Sequence, residues 1–148
     1  MKIFLGSDHG GFDLKQLLVH YLGKKMGYEV EDVGDEHLDP KDDYPQFAHK
    51  AVHKMQTSDN EEPRGILVCR GGQGMAMAAN RFKGIRAAVC WDSESARKAR
   101  EDNDSNILCL PADTLSVSEV KDIVHVWIDT PFSRAGRHQR RIQELDNY

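Results

Sequence analysis

The residues best placed to do chemistry lie in Cys69-Arg70-Gly71-Gly72-Gln73-Gly74, a thiol running into a glycine-rich turn. Glycines admit positive φ and bring bare N–H groups close to a ligand, and a helix start favours negative charge there. The same field, with Arg70 beside it, favours the thiolate over the thiol, so Cys69 is a candidate base or nucleophile. Cys69 equally fits the last buried position of a strand, the reading that suits Cys90 and Cys109. A second pair, Asp8-His9, sets a carboxylate and an imidazole after the first apolar run, although an aspartate there also suits a helix cap. Arg137 and Arg141 stand one turn apart on one helix face, a spacing that lets two guanidiniums grip a phosphate or carboxylate. A solvated basic helix end has the same spacing.

Several established patterns fail on these residues. A cysteine phosphatase loop needs an arginine six positions after its cysteine, where this chain has Met75. Gly72-Gln73-Gly74 lacks the third glycine of a dinucleotide fingerprint and follows the third strand, and no P-loop is present. His49 and His53 lie four apart without an intervening glutamate after His49 or a third ligand, so no metal is expected.

These groups must be positioned by alternating elements. Lys2–Leu5 reads as a strand stopped by Gly6-Ser7-Asp8-His9-Gly10-Gly11. Leu14, Leu17, Leu18, Tyr21 and Leu22 form the stripe of a helix that ends near Gly27. Tyr28–Val33 is a second strand, followed by an Asp-rich polar loop. Pro45 suits the first turn of a helix carrying Ala48, Ala51, Val52 and Met55. Gly65–Cys69 is the apolar run of a strand buried on both faces. The pattern then predicts a helix over Met75–Phe82, a strand over Arg86–Cys90, a helix over Ser93–Glu101 and a fifth strand over Ile107–Leu110. Ser116-Val117-Ser118-Glu119 is a capping box opening a helix that Thr130-Pro131 ends, and a last helix covers Ala135–Leu145. Such alternation is the α/β pattern of a parallel sheet with helices on both faces, whose ligands gather at the carboxyl ends of the strands.

The 148 residues, 39% hydrophobic and 30% charged, suit one domain over 1–148. A net charge of -4 has the wrong sign for nucleic acid or an anionic membrane surface. No apolar run reaches membrane-spanning length, and the opening segment breaks at Gly6–Asp8 before a signal-peptide core could form. Three cysteines without C-x-x-C spacing read as reduced thiols, which points to the cytoplasm.

Taken in order, these motifs resemble the ribose-5-phosphate isomerase B and galactose-6-phosphate isomerase family over essentially the whole chain. Gly6-Ser7-Asp8-His9-Gly10-Gly11 is similar to its first-strand signature, and Asp43-Tyr44-Pro45 to its substrate-side tyrosine loop. Ala78-Ala79-Asn80-Arg81 with Gly84-Ile85-Arg86 is similar to its central helix and next strand, and Arg137-His138-Gln139-Arg140-Arg141-Ile142 to its C-terminal signature. The resemblance implies a Rossmann-like three-layer αβα sandwich with a five-stranded parallel sheet, and a homodimer or dimer of dimers with sites at the interface. It also implies cofactor-free aldose–ketose isomerisation of a small sugar or sugar phosphate through a cis-enediolate. Cys69 matches the base of one branch, while Met75 stands where another branch has a glutamate base. Asp8 and His9 match the polar pair beside the sugar ring, and Gly72 and Gly74 the backbone anion hole. Asn103 matches a substrate-contacting amide, and Arg137 and Arg141 the phosphate grip. Tyr44, Arg70, Gly71 and His138 complete the implied substrate-binding set.

This chain departs from that pattern at Gly71, where the family usually has a hydroxyl residue, and at Arg70, where it commonly has glycine. Asp102 replaces the histidine assigned to ring opening and counts as catalytic with Cys69, Asp8 and His9. Asp113 replaces an arginine of the phosphate grip. These exchanges imply weak activity on ribose 5-phosphate and a better substrate among open-chain, differently phosphorylated or unphosphorylated sugars. A catalytically silent paralogue that binds sugar phosphates is the alternative reading.

Overall fold

The computed structural model describes residues 1–147, and the described chain is a five-stranded, all-parallel sheet between helical layers. Strands β1 (Lys2–Ser7), β2 (Glu29–Asp32), β3 (Pro63–Cys69), β4 (Ala87–Val89) and β5 (Ile107–Pro111) lie in the order β2-β1-β3-β5-β4. The helices are α1 (Phe12–His20), α2 (Tyr44–Gln56), α3 (Gln73–Ala79), α4 (Ser93–Glu101), α5 (Val117–Asp129) and α6 (Gly136–Asp146). This is the Rossmann-like α/β sandwich that the alternation and the resemblance predict.

Strand periodicity sorts the core. Ile3, Leu5, Ile66, Val68, Leu108 and Leu110 face one side, where α1, α4 and α5 cover them with Leu18, Ala96 and Trp127. Their alternates Phe4, Leu67, Cys69, Ile107 and Cys109 face the other side, covered from α2 and α3 by Ala48, Val52 and Met75. From β1 the chain turns outward to β2 at one edge, whereas from β3 it continues toward β5 and β4. The direction of winding therefore reverses between β1 and β3, and their carboxyl ends, Ser7 and Cys69, flank the resulting crevice.

Some boundaries move for physical reasons. One 3₁₀ turn (His9–Gly11) precedes α1, and a π-helical turn (Tyr21–Lys25) carries it on until Gly27, at φ 76°, ends the run. α3 starts and stops earlier than its apolar pattern suggests. Gly72, at φ 71°, opens it, and Asn80 leaves it to bond both Ala87 N–H (2.7 Å) and Ala87 C=O (2.9 Å). The capping box at Ser116 is formed, and a second one, Asp92 with Ser95, starts α4. α6 buries only His138. No helix among the described residues is long and apolar enough to cross a membrane.

Candidate active site

At the carboxyl end of β3, Cys69 is almost fully covered, and its Sγ accepts the Gly72 N–H at 3.1 Å. The left-handed Gly72 folds the turn back far enough for that contact, and a Cβ there would also press on the Leu110–Pro111 backbone at 3.3 Å. The thiol is thus the hydrogen-bonded end of a strand opening a helix, whereas burial pushes the Cys90 thiol up to about 12 and Cys109 well above the ordinary range. Met75, on α3, is fully buried in the core.

Asp8 follows β1 beside this loop. Its Oδ1 accepts the Gly11 N–H at 3.2 Å, so it does cap the 3₁₀ turn, and its burial pushes the carboxyl above the ordinary carboxylate value. That turn lies against β3 so closely that a Cβ on Gly11 would sit 2.5 Å from the Val68 carbonyl. His9 is held by Asp42, whose Oδ1 is 2.5 Å from Nδ1 and also accepts the His9 backbone N–H at 3.1 Å. This bond, with the negative charges of Asp42 and Asp8, raises His9 above the ordinary imidazole value, against an opposing push from burial and Arg70. Asp42 escaped the sequence reading because it stands 33 residues from His9 in a loop that reads simply as polar.

Tyr44, the first residue of α2, lays its ring on Gly74, where a Cβ would meet the ring carbons at 2.7 to 3.1 Å. Arg70 crosses Gly10 and reaches Asp113, with 3.5 Å between Nη1 and Oδ2. Gly71 is open: a Cβ there would meet nothing within 4 Å. Asp8, His9, Tyr44, Cys69, Arg70, Gly71, Gly72 and Gly74 therefore share the crevice at the carboxyl ends of the strands.

The remaining candidates gather elsewhere. Asp102 caps the carboxyl end of α4, and Asn103 follows it toward the amino end of β5. Arg86 Nε donates to the Asn103 carbonyl at 3.1 Å, and its guanidinium bridges Asp104 and Asp146. His138, buried on α6, has Nδ1 2.8 Å from Ser133 Oγ and Nε2 3.7 Å from Asp102 Oδ1. Arg137 Nε donates to His138 Nε2 at 3.1 Å, and Arg137 and Arg141 are exposed on the same helix. At ~3.3 Å per residue, β5 alone sets this group roughly 13 Å or more from Cys69. One chain thus carries two partial constellations at opposite ends of its sheet. A cavity of about 720 Å³ also lies at the amino end, lined by Pro63, Arg64, Arg86 and Asp104, and contains none of the Cys69 group.

Among the described residues, Asp8, His9 and Asp42 are the one cluster whose donor atoms are close enough to share a metal ion. His49 instead packs edge-on to Phe82, with ring centroids 5.2 Å apart.

Residues 3–145 match the family described as Ribose/Galactose Isomerase. Ribose-5-phosphate isomerase B of Mycolicibacterium paratuberculosis is 38% identical over 148 residues, covering 100% of this chain and 91% of that protein. A solved ribose 5-phosphate isomerase of Thermotoga maritima is 42% identical with a TM-score of 0.92, covering 99% of this chain and 98% of that one. The ribose-5-phosphate isomerase B of Mycoplasma genitalium, solved with bound ribulose-5-phosphate, is 38% identical with a TM-score of 0.90 and coverage of 99% and 95%. Likeness this complete in sequence and in fold admits one conclusion: the chain belongs to the ribose/galactose isomerase family.

Proposed function

We propose that this chain is an aldose–ketose isomerase of a small sugar phosphate, of the ribose 5-phosphate to ribulose 5-phosphate type. The observation that carries this reading is the Cys69 thiol at the β1/β3 crevice, with its sulfur on the Gly72 N–H and the buried Asp8 and part-buried His9 alongside. A cysteine sulfur that accepts a backbone N–H at a strand end can serve as a base toward a substrate in that crevice. Cys69 takes the proton from C2 of the open-chain aldose, and the electron pair moves to form the C1–C2 enediolate. N–H groups of the Gly71–Gly74 turn and the α3 start face that developing charge. The proton returns from Cys69 to C1 as the electrons restore a carbonyl at C2. Carbon oxidation at one centre balances reduction at the next, so the reaction is redox-neutral and calls on no cofactor. Asp8, whose burial favours the protonated form, exchanges protons with the two substrate oxygens.

The guanidinium of the Cys69 group, Arg70, is already paired with Asp113, and His9 with Asp42, which leaves a dianionic phosphate without a grip there. Arg137 and Arg141, at the fold's other end, make no ion pair among the described residues. In this reading a homodimer completes each site, with one protomer's Asp102, Asn103, Arg137, His138 and Arg141 facing its partner's Cys69. Asp102 then occupies the ring-opening position with His138 behind it. The three reduced, buried thiols suit a cytoplasmic enzyme.

The test is exchange at C2 of ribose 5-phosphate in deuterated water, together with formation of ribulose 5-phosphate. Deuterium entering both sugars at a rate that tracks enzyme concentration is the expected result. Binding of the sugar without exchange would favour the silent paralogue.

A further inference from the structure

The His9–Asp42 contact joins two segments 33 residues apart, and three features make it more than a chance surface pair. One carboxylate oxygen takes both the ring Nδ1 and the backbone N–H of the same residue, which fixes ring position and ring orientation together. The Asp42 side chain is only 3% exposed, so its charge is withdrawn from water. Its second oxygen, Oδ2, is buried with no hydrogen-bond partner among the described residues. A buried carboxylate with an orphan oxygen is costly unless a cation stands against it. The charged groups facing His9 are Asp42, Asp8 and Arg70. Arg70 points its guanidinium toward Asp113, so the imidazolium of His9 is the cation in contact with Asp42.

We propose that Asp42 is the positioning residue for His9: it clamps the ring through Nδ1, pairs with the imidazolium, and leaves that form's Nε2–H as the donor to a substrate oxygen. The catalytic consequence rests on the isomerase reading above, but the clamp itself does not. A charged donor bound to a fixed carboxylate suits an oxygen that is negative in the substrate or becomes so in the enediolate.

Two measurements separate the clamp from the function. Ring ¹⁵N and ¹H shifts of His9, followed against pH without substrate, should show it titrating above the ordinary histidine value of ~6.5 in the native protein. In Asp42→Asn the titration should fall toward that value, and in Asp42→Glu it should stay raised. A native His9 titrating at or below the ordinary value overturns the proposal even if Asp42→Asn fails to fold, and so does an unmoved titration in a folded Asp42→Asn. The second measurement is kcat/KM for ribose 5-phosphate against pH. Asp42→Asn should lose activity mainly on the alkaline side, Asp42→Glu should recover it, and Asp42→Asn should cost nothing further once His9→Gln is in place. A loss that is equal at every pH and additive with His9→Gln would mean that Asp42 only supports the loop. If the native protein is inactive, the isomerase reading fails while the titration still decides the clamp.

Discussion

In the proposed reaction, Cys69 is the side chain on which activity turns. Cys69→Ser keeps the strand end and the Gly72 contact but replaces the base by a far weaker one, so turnover should drop by ~10² to 10⁴ with the melting temperature nearly unchanged. Native turnover in that variant would remove Cys69 from the chemistry. Gly71 offers the opposite experiment. Space around it is open, so Gly71→Ser fits without displacing a neighbour and should raise kcat if a hydroxyl there helps hold the enediolate. Asp8 carries a stability cost. Its folded carboxyl binds a proton more tightly than the unfolded one, because burial disfavours the charge. Folding is therefore favoured while Asp8 is protonated, and that advantage is lost as pH rises from the ordinary carboxylate range through the raised folded value. Asp8→Asn should accordingly melt higher than the native protein at neutral pH while losing activity; a lower melting temperature would show that its cap to Gly11 outweighs the burial of its charge.

The elements were legible where a local rule governed them. Gly65–Cys69 reads as a doubly buried strand from its apolar run, and the Ser116 box fixes the start of α5 through its own two hydrogen bonds. Where a contact distant in sequence decides, the pattern was silent. Nothing in Met75–Phe82 reveals that Asn80 will abandon α3 to hold Ala87, and nothing in the Asp-rich loop singles out Asp42 for His9. The candidate site was legible residue by residue, through chemistry-bearing types and the family resemblance. Its division between the two ends of the sheet was not, since Asp102 becomes remote from Cys69 only once α4 runs antiparallel to the strands. Element-scale contacts give a clean control. Ser116→Ala removes a cap far from Cys69 and should cost ~1 kcal/mol of stability with kcat intact. Gly74→Ala, by contrast, drives a methyl into the Tyr44 ring and should disturb the start of α2 and raise KM.

At the scale of the whole molecule, the proposed completion of the site across a homodimer is tested by mixing experiments. Chains carrying Cys69→Ser and chains carrying both Arg137→Ala and Arg141→Ala should each be impaired. Reassorted together, they should regain about a quarter of native activity at low substrate, since half the dimers hold one intact site of two. No recovery on mixing would place both groups in one chain's own site or outside it. The pair Arg70–Asp113, with both side chains more than half exposed, contributes little to stability, so its importance lies in substrate choice. In the proposed reading, Asp113 stands where the resemblance expects a phosphate-gripping arginine and so trades an attraction for a repulsion, and Asp102 is a poorer proton shuttle than histidine near neutral pH. Native kcat/KM for ribose 5-phosphate should therefore be low beside a panel of tetrose to hexose sugars and their phosphates. Asp102→His with Asp113→Arg should raise it; a native value already the highest of the panel would refute this reading of both aspartates.

The slender attachment of α6 has a consequence for motion. The helix buries one side chain, His138, and is tied down at its far end by the Arg86–Asp146 bridge. Few apolar contacts and exposed backbone hydrogen bonds mark a segment that opens locally at low free energy. Its amide hydrogens should exchange with solvent long before those of β3 or β5, and faster still in high salt, which screens the bridge. The arginines it carries would then grip an anion from the softest part of the fold, and a bound sugar phosphate would announce itself as slowed exchange along α6.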